Sequence, residues 1–217
     1  MDPFDADTTV HYNDGEPMKH SYGRRCIFIN GPVGSGKDTA AYFIKRNFGA
    51  IDYKISGPLK AAIRELLNIN PDMWRKIMNN ATMKETKHFL SSKSYRDLII
   101  SLYEDWITPV FGPAFLGEVA ANYFRHAVEA TPLYTISDAG VEIELEPIVQ
   151  EFGYDNCGLI VLKRDGCEFG RDYRSRVNGD NLGIAQFTIV NQYDLALFEQ
   201  QCIKAVKNLW PSLETKT

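Results

Sequence analysis

The sequence predicts an α/β fold in which a largely parallel, five-stranded sheet is covered by helices on both faces, giving three layers. Short apolar runs, each long enough for one buried strand, alternate along the chain with amphipathic segments of helical period. The runs occupy residues 26–30, 50–56, 133–138, 157–163 and 186–191. Since open parallel sheets bind their ligands at the carboxyl ends of the strands, functional residues are expected where each run ends.

Helices are predicted where apolar residues recur at intervals of three and four. They cover residues 37–47, 57–69, 70–80, 95–111, 114–130, 142–153 and 193–210, and a polar stretch fills 81–94. Gly49 ends the first helix. Pro58 lies just inside the start of the second, where its missing N–H costs nothing. The helical region 57–130 interrupts the alternation and predicts an insertion in the sheet domain.

Composition narrows the class of protein. The 217 residues include 24 basic and 28 acidic side chains, so the formal net charge of −4 gives no global preference for nucleic acid. No apolar run approaches the ~18 residues of a membrane span, so no membrane partner is expected. Residues 1–23 are polar and acidic, which predicts a flexible tail before a single domain at 24–217. The cysteines lack metal-binding spacing and, without a secretory leader, predict reduced thiols in the cytoplasm.

The most informative segment is "RRCIFINGPVGSGKDTAAYFIKRNFG", residues 24–49. It places a G-x-x-x-x-G-K pattern directly after a strand and before a helix, the context in which this pattern binds nucleotide phosphates. Glycines let the backbone aim N–H groups at phosphate oxygens, and Lys37 adds a full positive charge at the helix N-terminus. The predicted ATP site comprises Gly31, Gly34, Ser35, Gly36, Lys37, Asp38 and Thr39. The alternative is a glycine-rich turn with an incidental lysine.

Asp38 occupies a position where such loops usually carry a serine or threonine that binds Mg²⁺. A carboxylate near a triphosphate is repelled unless Mg²⁺ lies between them. We therefore expect Asp38, or the hydroxyl of Thr39, to take part in the magnesium shell. The alternative is that Asp38 merely favours the helix N-terminus.

The stretches "NGPVGSGKDTAAYFI" and "ISGPLKAAI" resemble the bacteriophage-type deoxynucleoside monophosphate kinases, which belong to the P-loop nucleoside-monophosphate-kinase group. That family has the same G-K-D-T variant of the loop and a G-P-[LI]-K step, matched here at residues 57–60. The resemblance implies a P-loop kinase domain that uses ATP and Mg²⁺ and a deoxynucleotide acceptor. It also implies that the helical region 57–130 binds the acceptor.

Weaker agreement extends the resemblance over residues 25–209. The segment "YRDLIISLYEDW" resembles the family's arginine-bearing helix and implies acceptor contacts from Arg96 and Asp105. The G-P-L-K step implies a further acceptor contact from Lys60. Asn191, after the last strand, lies where the family suggests a contact to adenine. The third strand departs from the family, which has Asp-x-Arg where this chain has Gly140 in the arginine position. Loss of a bidentate phosphate clamp leaves open whether the acceptor is a free nucleotide.

Two further regions are candidates for catalysis. Residues 164–183 follow a strand, contain hinge-like glycines and are rich in arginine, which predicts a lid. Arg171, Arg174 and Arg176 are its candidate catalytic cations, and the first two are preferred. A solvated loop is the alternative. Asp138 ends the third apolar run and is predicted to bind magnesium or to act as a general base, unless it only caps the next turn. Arg96 could instead form a surface pair with Asp97 or Glu104.

Three functions follow from these residues. The first is a kinase that transfers the γ-phosphate of ATP to a deoxynucleoside monophosphate. The second keeps the donor site but phosphorylates the hydroxymethyl group of a modified pyrimidine, 5-hydroxymethyluracil, in phage DNA, with Asp138 as base and residues 84–96 as a basic strip facing DNA. The third is a nucleotide-binding module without transferase activity. The sequence does not indicate an oligomeric state.

Overall fold

The computed structural model describes residues 23–88, 91–127, 131–170 and 175–215. Within them, five strands form one sheet, in which every pairing is parallel and the order is β2-β3-β1-β4-β5. The strands are β1 (Arg25–Asn30), β2 (Ile51–Tyr53), β3 (Leu133–Ile136), β4 (Cys157–Lys163) and β5 (Ala185–Val190). The predicted α/β fold with a parallel sheet is confirmed. Arg171 and Arg174 lie outside the described residues, as does most of the predicted tail.

The predicted helices are present with differences in extent, and two helices, Ala81–Glu85 and Gly179–Leu182, form where none was predicted. The bounds of the helices are α1 (Lys37–Phe48), α2 (Gly57–Leu66), α3 (Pro71–Asn79), α4 (Ala81–Glu85), α5 (Tyr95–Ser101), α6 (Thr108–Phe111), α7 (Phe115–His126), α8 (Glu142–Phe152), α9 (Gly179–Leu182) and α10 (Leu195–Leu209). Helix α4 falls in the stretch predicted as polar coil. It begins there because the side chain of Asn80 accepts a hydrogen bond from the backbone N–H of Met83 at 3.0 Å.

The sheet is covered on both faces by helices. On one face Ile27 and Ile29 of β1 belong to a core that α1 and α10 complete, with the rings of Phe43 and Phe198 5.9 Å apart. On the other face Phe124 of α7 meets the ring of Tyr134 on β3 at 5.0 Å. Alternate residues of a strand point to opposite faces, so β1, which is buried from Cys26 to Asn30, contributes to both cores. The three predicted layers are therefore present.

Helices α7 and α8 pack unusually closely at Gly117. A Cβ atom on this glycine would lie 1.9 Å from the backbone carbonyl oxygen of Glu144, so the two helices would have to separate to admit alanine. We expect Gly117→Ala to lower the free energy of unfolding by about 3 kcal/mol, the upper part of the usual range for overpacking. Chemical denaturation measures this, with Gly170→Ala as the control because a Cβ there meets no atom within 4 Å. An unchanged midpoint for Gly117→Ala would contradict the packing described.

The chain divides into two compact units, of which the smaller, Ser56–Phe115, is helical. Within it α5 continues into α6 through a π-helical turn, Leu102–Ile107, where the sequence predicts one uninterrupted α-helix over 95–111. A π-helical turn adds a residue to the repeat, and such turns are frequent at functional sites. The unit overlaps the region predicted to bind the acceptor, and that role stays a prediction.

The larger unit contains the sheet. The chain segments that leave β1 and β4, two adjacent strands, run in opposite directions across the sheet. The chain after β1 leads towards β2, whereas the chain after β4, on the other side of β1, leads towards β5. Diverging connections open a crevice beyond the carboxyl ends of the strands, where open α/β sheets bind their ligands. Among the described helices, none is long and apolar enough to cross a membrane.

Candidate functional site

The glycine-rich loop, residues 31–36, follows β1 and leads into α1. Gly34 and Gly36 adopt positive φ angles of 82° and 103°, which favour glycine. A Cβ on Gly31 would lie 2.9 Å from the carbonyl oxygen of Leu162, and one on Gly36 would lie 2.7 Å from Nδ2 of Asn191. Backbone conformation and close packing thus both require glycines in this loop.

Lys37, the first residue of α1, folds back onto the loop. Its Nζ donates hydrogen bonds to the carbonyl oxygens of Gly31 at 2.6 Å and Pro32 at 2.7 Å. The ammonium group is therefore fixed beside the start of the loop, at the N-terminal end of a twelve-residue helix. Helix N-termini and ammonium groups both attract anions, so this end of α1 is electropositive.

A cleft opens in front of Lys37, with about 390 Å³ of free space that is partly open to solvent. Its walls come from the loop, from the segment after β3 and from the predicted lid. They are lined by Gly31, Pro32, Val33, Lys37, Asp138, Ala139, Gly140, Phe169 and Gly170. The structure thus brings together the predicted residues Lys37 and Asp138. Gly140, where the family carries arginine, forms part of the wall without a charged side chain.

Beside this cleft, Lys54 follows β2 and contacts three oxygen-bearing side chains. Its Nζ donates to Oδ1 of Asp38 at 2.6 Å, lies 3.1 Å from Oδ2 of Asp52 and also donates to the hydroxyl of Ser137. Asp52 in turn accepts hydrogen bonds from the hydroxyls of Ser137 and Thr135, each at 2.9 Å. These residues form the Lys54 cluster, defined as Asp38, Asp52, Lys54 and Ser137. Sequence reasoning singled out only Asp38 among them.

Charge and burial act against each other in this cluster. Burial raises the pKa of the Asp52 carboxyl, and Lys54 with the two hydroxyls only partly offsets that rise. Burial would lower the pKa of Lys54, but the carboxylates of Asp52, Asp138 and Asp38 outweigh it and raise the pKa well above the ordinary value. Lys54 is therefore a permanent cation at neutral pH.

Asp138 lies at the turn after β3, and its Oδ1 accepts a hydrogen bond from the backbone N–H of Ile55 at 2.9 Å. The bond ties the end of β3 to the end of β2, its neighbour in the sheet. This bond between two strand ends was not predicted from the sequence, and Asp138 also lines the cleft. Its roles in magnesium binding and as a base stay predictions.

The far end of the predicted lid is anchored by Asn30, the last residue of β1. The buried Nδ2 donates to the carbonyl oxygens of Ala139 at 2.7 Å and Ser175 at 3.0 Å, and Oδ1 accepts from the N–H of Val177. The N–H of Ser175 donates to the carbonyl oxygen of Gly140 at 2.8 Å. Ser175 therefore lies beside the cleft, and the roles of Arg171 and Arg174 stay predictions.

Asn191, predicted to contact adenine, is hydrogen-bonded to the glycine-rich loop. Its Nδ2 donates to the carbonyl oxygen of Ser35 at 3.0 Å, and its backbone N–H donates to the carbonyl oxygen of Lys163 at 2.8 Å. Nearby, Arg164 donates to the carbonyl oxygen of Gly34 at 2.8 Å, with its guanidinium carbon 3.9 Å from the ring centre of Tyr193. Asn191 thus braces the loop, and a contact to adenine stays a prediction.

The predicted acceptor residues belong to the helical unit. Arg96 forms an ion pair with Glu85 of α4, so neither Asp97 nor Glu104 is the ion-pair partner that the sequence suggested. Asp97 is occupied elsewhere, because its carboxylate and the side chain of Ser94 form a reciprocal cap at the start of α5.

Asp105, in the π-helical turn, lies 3.9 Å from Nζ of Lys93. Lys60 is half-buried in the first turn of α2. The acceptor roles of Arg96, Asp105 and Lys60 stay predictions. The described part of the basic strip, residues 84–96, contains the Glu85 and Lys93 ion pairs, so it is less uniformly cationic than its lysine content indicates.

The residues around the loop fit a polyphosphate with Mg²⁺. A glycine backbone that a Cβ would obstruct, a fixed ammonium group and a helix N-terminus are the donors that phosphate requires. Within the described residues no group of three His, Cys, Asp or Glu side chains is arranged to hold a metal. Magnesium bound to a nucleotide needs only one or two carboxylates, since phosphates and water supply the other ligands. Asp38 and Asp138, with the hydroxyl of half-buried Thr39, are suitable in kind.

The cysteines provide a test of the loop. Burial raises the pKa of Cys26 and Cys157, and it raises the pKa of Cys202 to about 12. Cys167 is only half-buried, and its Sγ lies 3.3 Å from where a Cβ of Gly34 would stand. We expect one thiol to react rapidly with Ellman's reagent, since a buried thiol with a raised pKa is inert.

The same reaction detects ligand at the loop. ATP with Mg²⁺ is expected to slow the modification of Cys167, because a nucleotide on the loop would cover its sulfur. Peptide mass spectrometry identifies the modified residue, and Cys167→Ser is the control that removes the fast phase. Equal reactivity of several thiols, or a fast phase that ATP leaves unchanged, would contradict this expectation.

Comparison with known proteins gives one short sequence similarity. The chain is 46% identical over 39 residues to a deoxynucleotide monophosphate kinase of Enterobacteria phage T4, an alignment that spans 18% of this chain and 16% of that protein. No family model matches the chain. A solved structure described as an unliganded sugar kinase from Janibacter sp. HTCC2649 aligns with a TM-score of 0.43 and 11% identity, covering 89% of this chain and 99% of that one.

Sequence reasoning missed Asn30, Asp52 and Lys54. Asn30 has a sequence signal, because it is the polar residue at the end of an otherwise apolar strand. Lys54 has the same kind of signal, because it is a charged residue directly after the short strand β2. Asp52 lies within the short strand, and only the pairing of β2 with β3 shows that Thr135 and Ser137 surround it.

Proposed function

We propose that this protein is an ATP- and Mg²⁺-dependent phosphotransferase, with the glycine-rich loop as its donor site. The observation that supports this most strongly is that the ammonium of Lys37 and the carboxylate of Asp138 line one cleft at the carboxyl end of the sheet. Phosphoryl transfer requires mainly positioning and neutralisation of charge, which loop amides and Lys37 are suited to provide. The similarity to a phage nucleotide kinase, although short, favours the same class of reaction.

Each group has a distinct task in this proposal. Lys37 and the loop amides would hold the phosphates of ATP, while Asn191 keeps the loop in shape through Ser35. Magnesium, when bound, would neutralise charge on those phosphates, held by Asp38 or Thr39 and by Asp138. The lid would exclude water, with Arg171 and Arg174 supplying positive charge near the transferred group.

For the acceptor, we propose a deoxynucleoside monophosphate. The relative in phage T4 is named for this substrate, and the motifs in "GPLKAAI" and "YRDLIISLYEDW" resemble that family. An anionic acceptor needs cations, and the helical unit would supply them from Lys60 and Arg96, with Asp105 placed to accept hydrogen bonds from the nucleoside.

A second acceptor, the hydroxymethyl group of 5-hydroxymethyluracil in DNA, is favoured by one observation. The cleft has a carboxylate, Asp138, and a glycine, Gly140, where the first proposal would benefit from an arginine. A carboxylate repels a phosphate acceptor, whereas it can accept the proton of an attacking alcohol. These two residues favour the second acceptor, whereas the motifs of the helical unit and the relative in phage T4 favour the first.

Transfer of labelled phosphate from ATP decides between these acceptors. Each of the four deoxynucleoside monophosphates is tested beside plain DNA and DNA that contains 5-hydroxymethyluracil. We expect label in a deoxynucleoside diphosphate. Label only in the modified DNA would establish the second acceptor, and label in neither, with ATP binding retained, would favour a nucleotide-binding module without transferase activity.

A further inference from the structure

Asp38 raises an electrostatic problem when Thr39, rather than Asp38, holds magnesium in the proposed function. It directly follows Lys37, and its side chain is 89% exposed at the first turn of α1. Two carboxylates, Asp52 and Asp138, lie within electrostatic range of the same lysine, Lys54. Without a compensating positive charge, the carboxylates of Asp38, Asp52 and Asp138 would repel a polyphosphate bound at the glycine-rich loop.

Lys54 meets the requirements of a compensating group. An ammonium has three N–H donors, and here they serve three different side chains, those of Asp38, Asp52 and Ser137. Asp52 lies on β2, Ser137 directly follows the neighbouring strand β3, and their side chains are hydrogen-bonded at 2.9 Å. The sheet therefore fixes two of the contacts, and the third reaches out to the exposed carboxylate.

The burial of the side chains indicates whether Lys54 positions Asp38 or Asp38 positions Lys54. The side chain of Lys54 is 31% exposed and that of Asp52 is 22% exposed, whereas Asp38 is almost fully exposed. A flexible, exposed carboxylate does not order a half-buried lysine that already has two partners. The ordering runs from the sheet, through Lys54, to Asp38.

We propose that Lys54 is a positioning residue that fixes and neutralises the Asp38 carboxylate, and so allows an acid to stand directly beside the phosphate site. This inference rests on the proposed function, because it assumes that a nucleotide binds at the glycine-rich loop. It also explains how this loop tolerates an aspartate after its lysine.

The test is a double-mutant cycle on nucleotide binding rather than on turnover. Lys54→Met, Asp38→Asn and the double variant are titrated with a non-hydrolysable ATP analogue and Mg²⁺ by isothermal calorimetry. Lys54→Met is expected to weaken binding about tenfold, since it leaves the charge of Asp38 uncompensated next to Lys37. Asp38→Asn in the same chain is expected to restore most of that loss, because it removes the charge that Lys54 compensates and leaves Thr39 and Asp138 to hold magnesium.

The control is Lys45→Met, which removes an exposed lysine from the same helix and is expected to bind the analogue like the unmodified protein. Thermal unfolding of each variant shows that it is folded, and a purely structural role for Lys54 would not produce recovery of binding in the double variant. Unchanged binding in Lys54→Met, or equal losses with and without Asp38→Asn, would overturn the inference. Failure of the unmodified protein to bind the analogue would instead refute the donor site itself.

Discussion

Replacing Lys37 with alanine is expected to lower kcat for phosphate transfer by about 10²–10³-fold, the usual cost of removing one group that stabilises charge in the transition state. The effect is large because the Nζ of Lys37 is fixed at 2.6–2.7 Å from two loop carbonyl oxygens and lines the cleft. A steady-state assay with labelled ATP measures it. The loss should appear in kcat more than in KM for the acceptor.

Lys45→Ala, on the outer face of α1, is the matched control and should keep full activity. Circular dichroism should show both variants folded, since neither side chain belongs to the buried core. Retained turnover in Lys37→Ala would show that the glycine-rich loop is not the donor site. That result would remove the assignment of ATP as donor at this position.

Asp138→Asn is expected to have the second large effect, and its size depends on the acceptor. If the acceptor is an alcohol, loss of the base should slow transfer by about 10²–10⁴-fold. A nucleotide phosphate needs no base, so there the same change should cost much less. Asparagine keeps an oxygen that can accept from the N–H of Ile55, which preserves the contact between β2 and β3.

Single-turnover rates on a deoxynucleotide and on hydroxymethyluracil DNA separate these cases. Asp52→Asn is a useful comparison, because it removes a neighbouring carboxylate that does not line the cleft. A large loss in Asp138→Asn on a free nucleotide, rescued by raised Mg²⁺, would indicate magnesium binding rather than base catalysis. Full activity on every acceptor would contradict any catalytic role for Asp138.

The region around the glycine-rich loop is predictable from sequence because its signals are local. Strand, turn and helix follow one another within residues 25–48, and the glycines at 34 and 36 are required by positive φ angles. The predicted strand at 157–163 coincides with β4 for the same reason, since a fully buried strand is a continuous apolar run.

The Lys54 cluster could not be predicted, because it depends on strand order. Asp38, Lys54 and Ser137 are separated by 16 and 83 residues along the chain and meet only because β2 pairs with β3. The predicted ion-pair partner of Arg96 was also wrong. The actual partner, Glu85, lies on α4, in a stretch for which the sequence predicted no helix. Strand pairing decides the first feature, and the Asn80 cap that starts α4 decides the second.

The binding of phosphate by the loop amides can be observed directly in ¹⁵N-labelled protein. Addition of a non-hydrolysable ATP analogue with Mg²⁺ should strongly shift the amide resonances of the loop and the first turn of α1, residues 31 and 33–38, with Gly36 and Lys37 among the largest changes. The shifts should be much smaller in Lys37→Ala. A spectrum in which saturating analogue leaves residues 31–38 unmoved would contradict the proposed donor site.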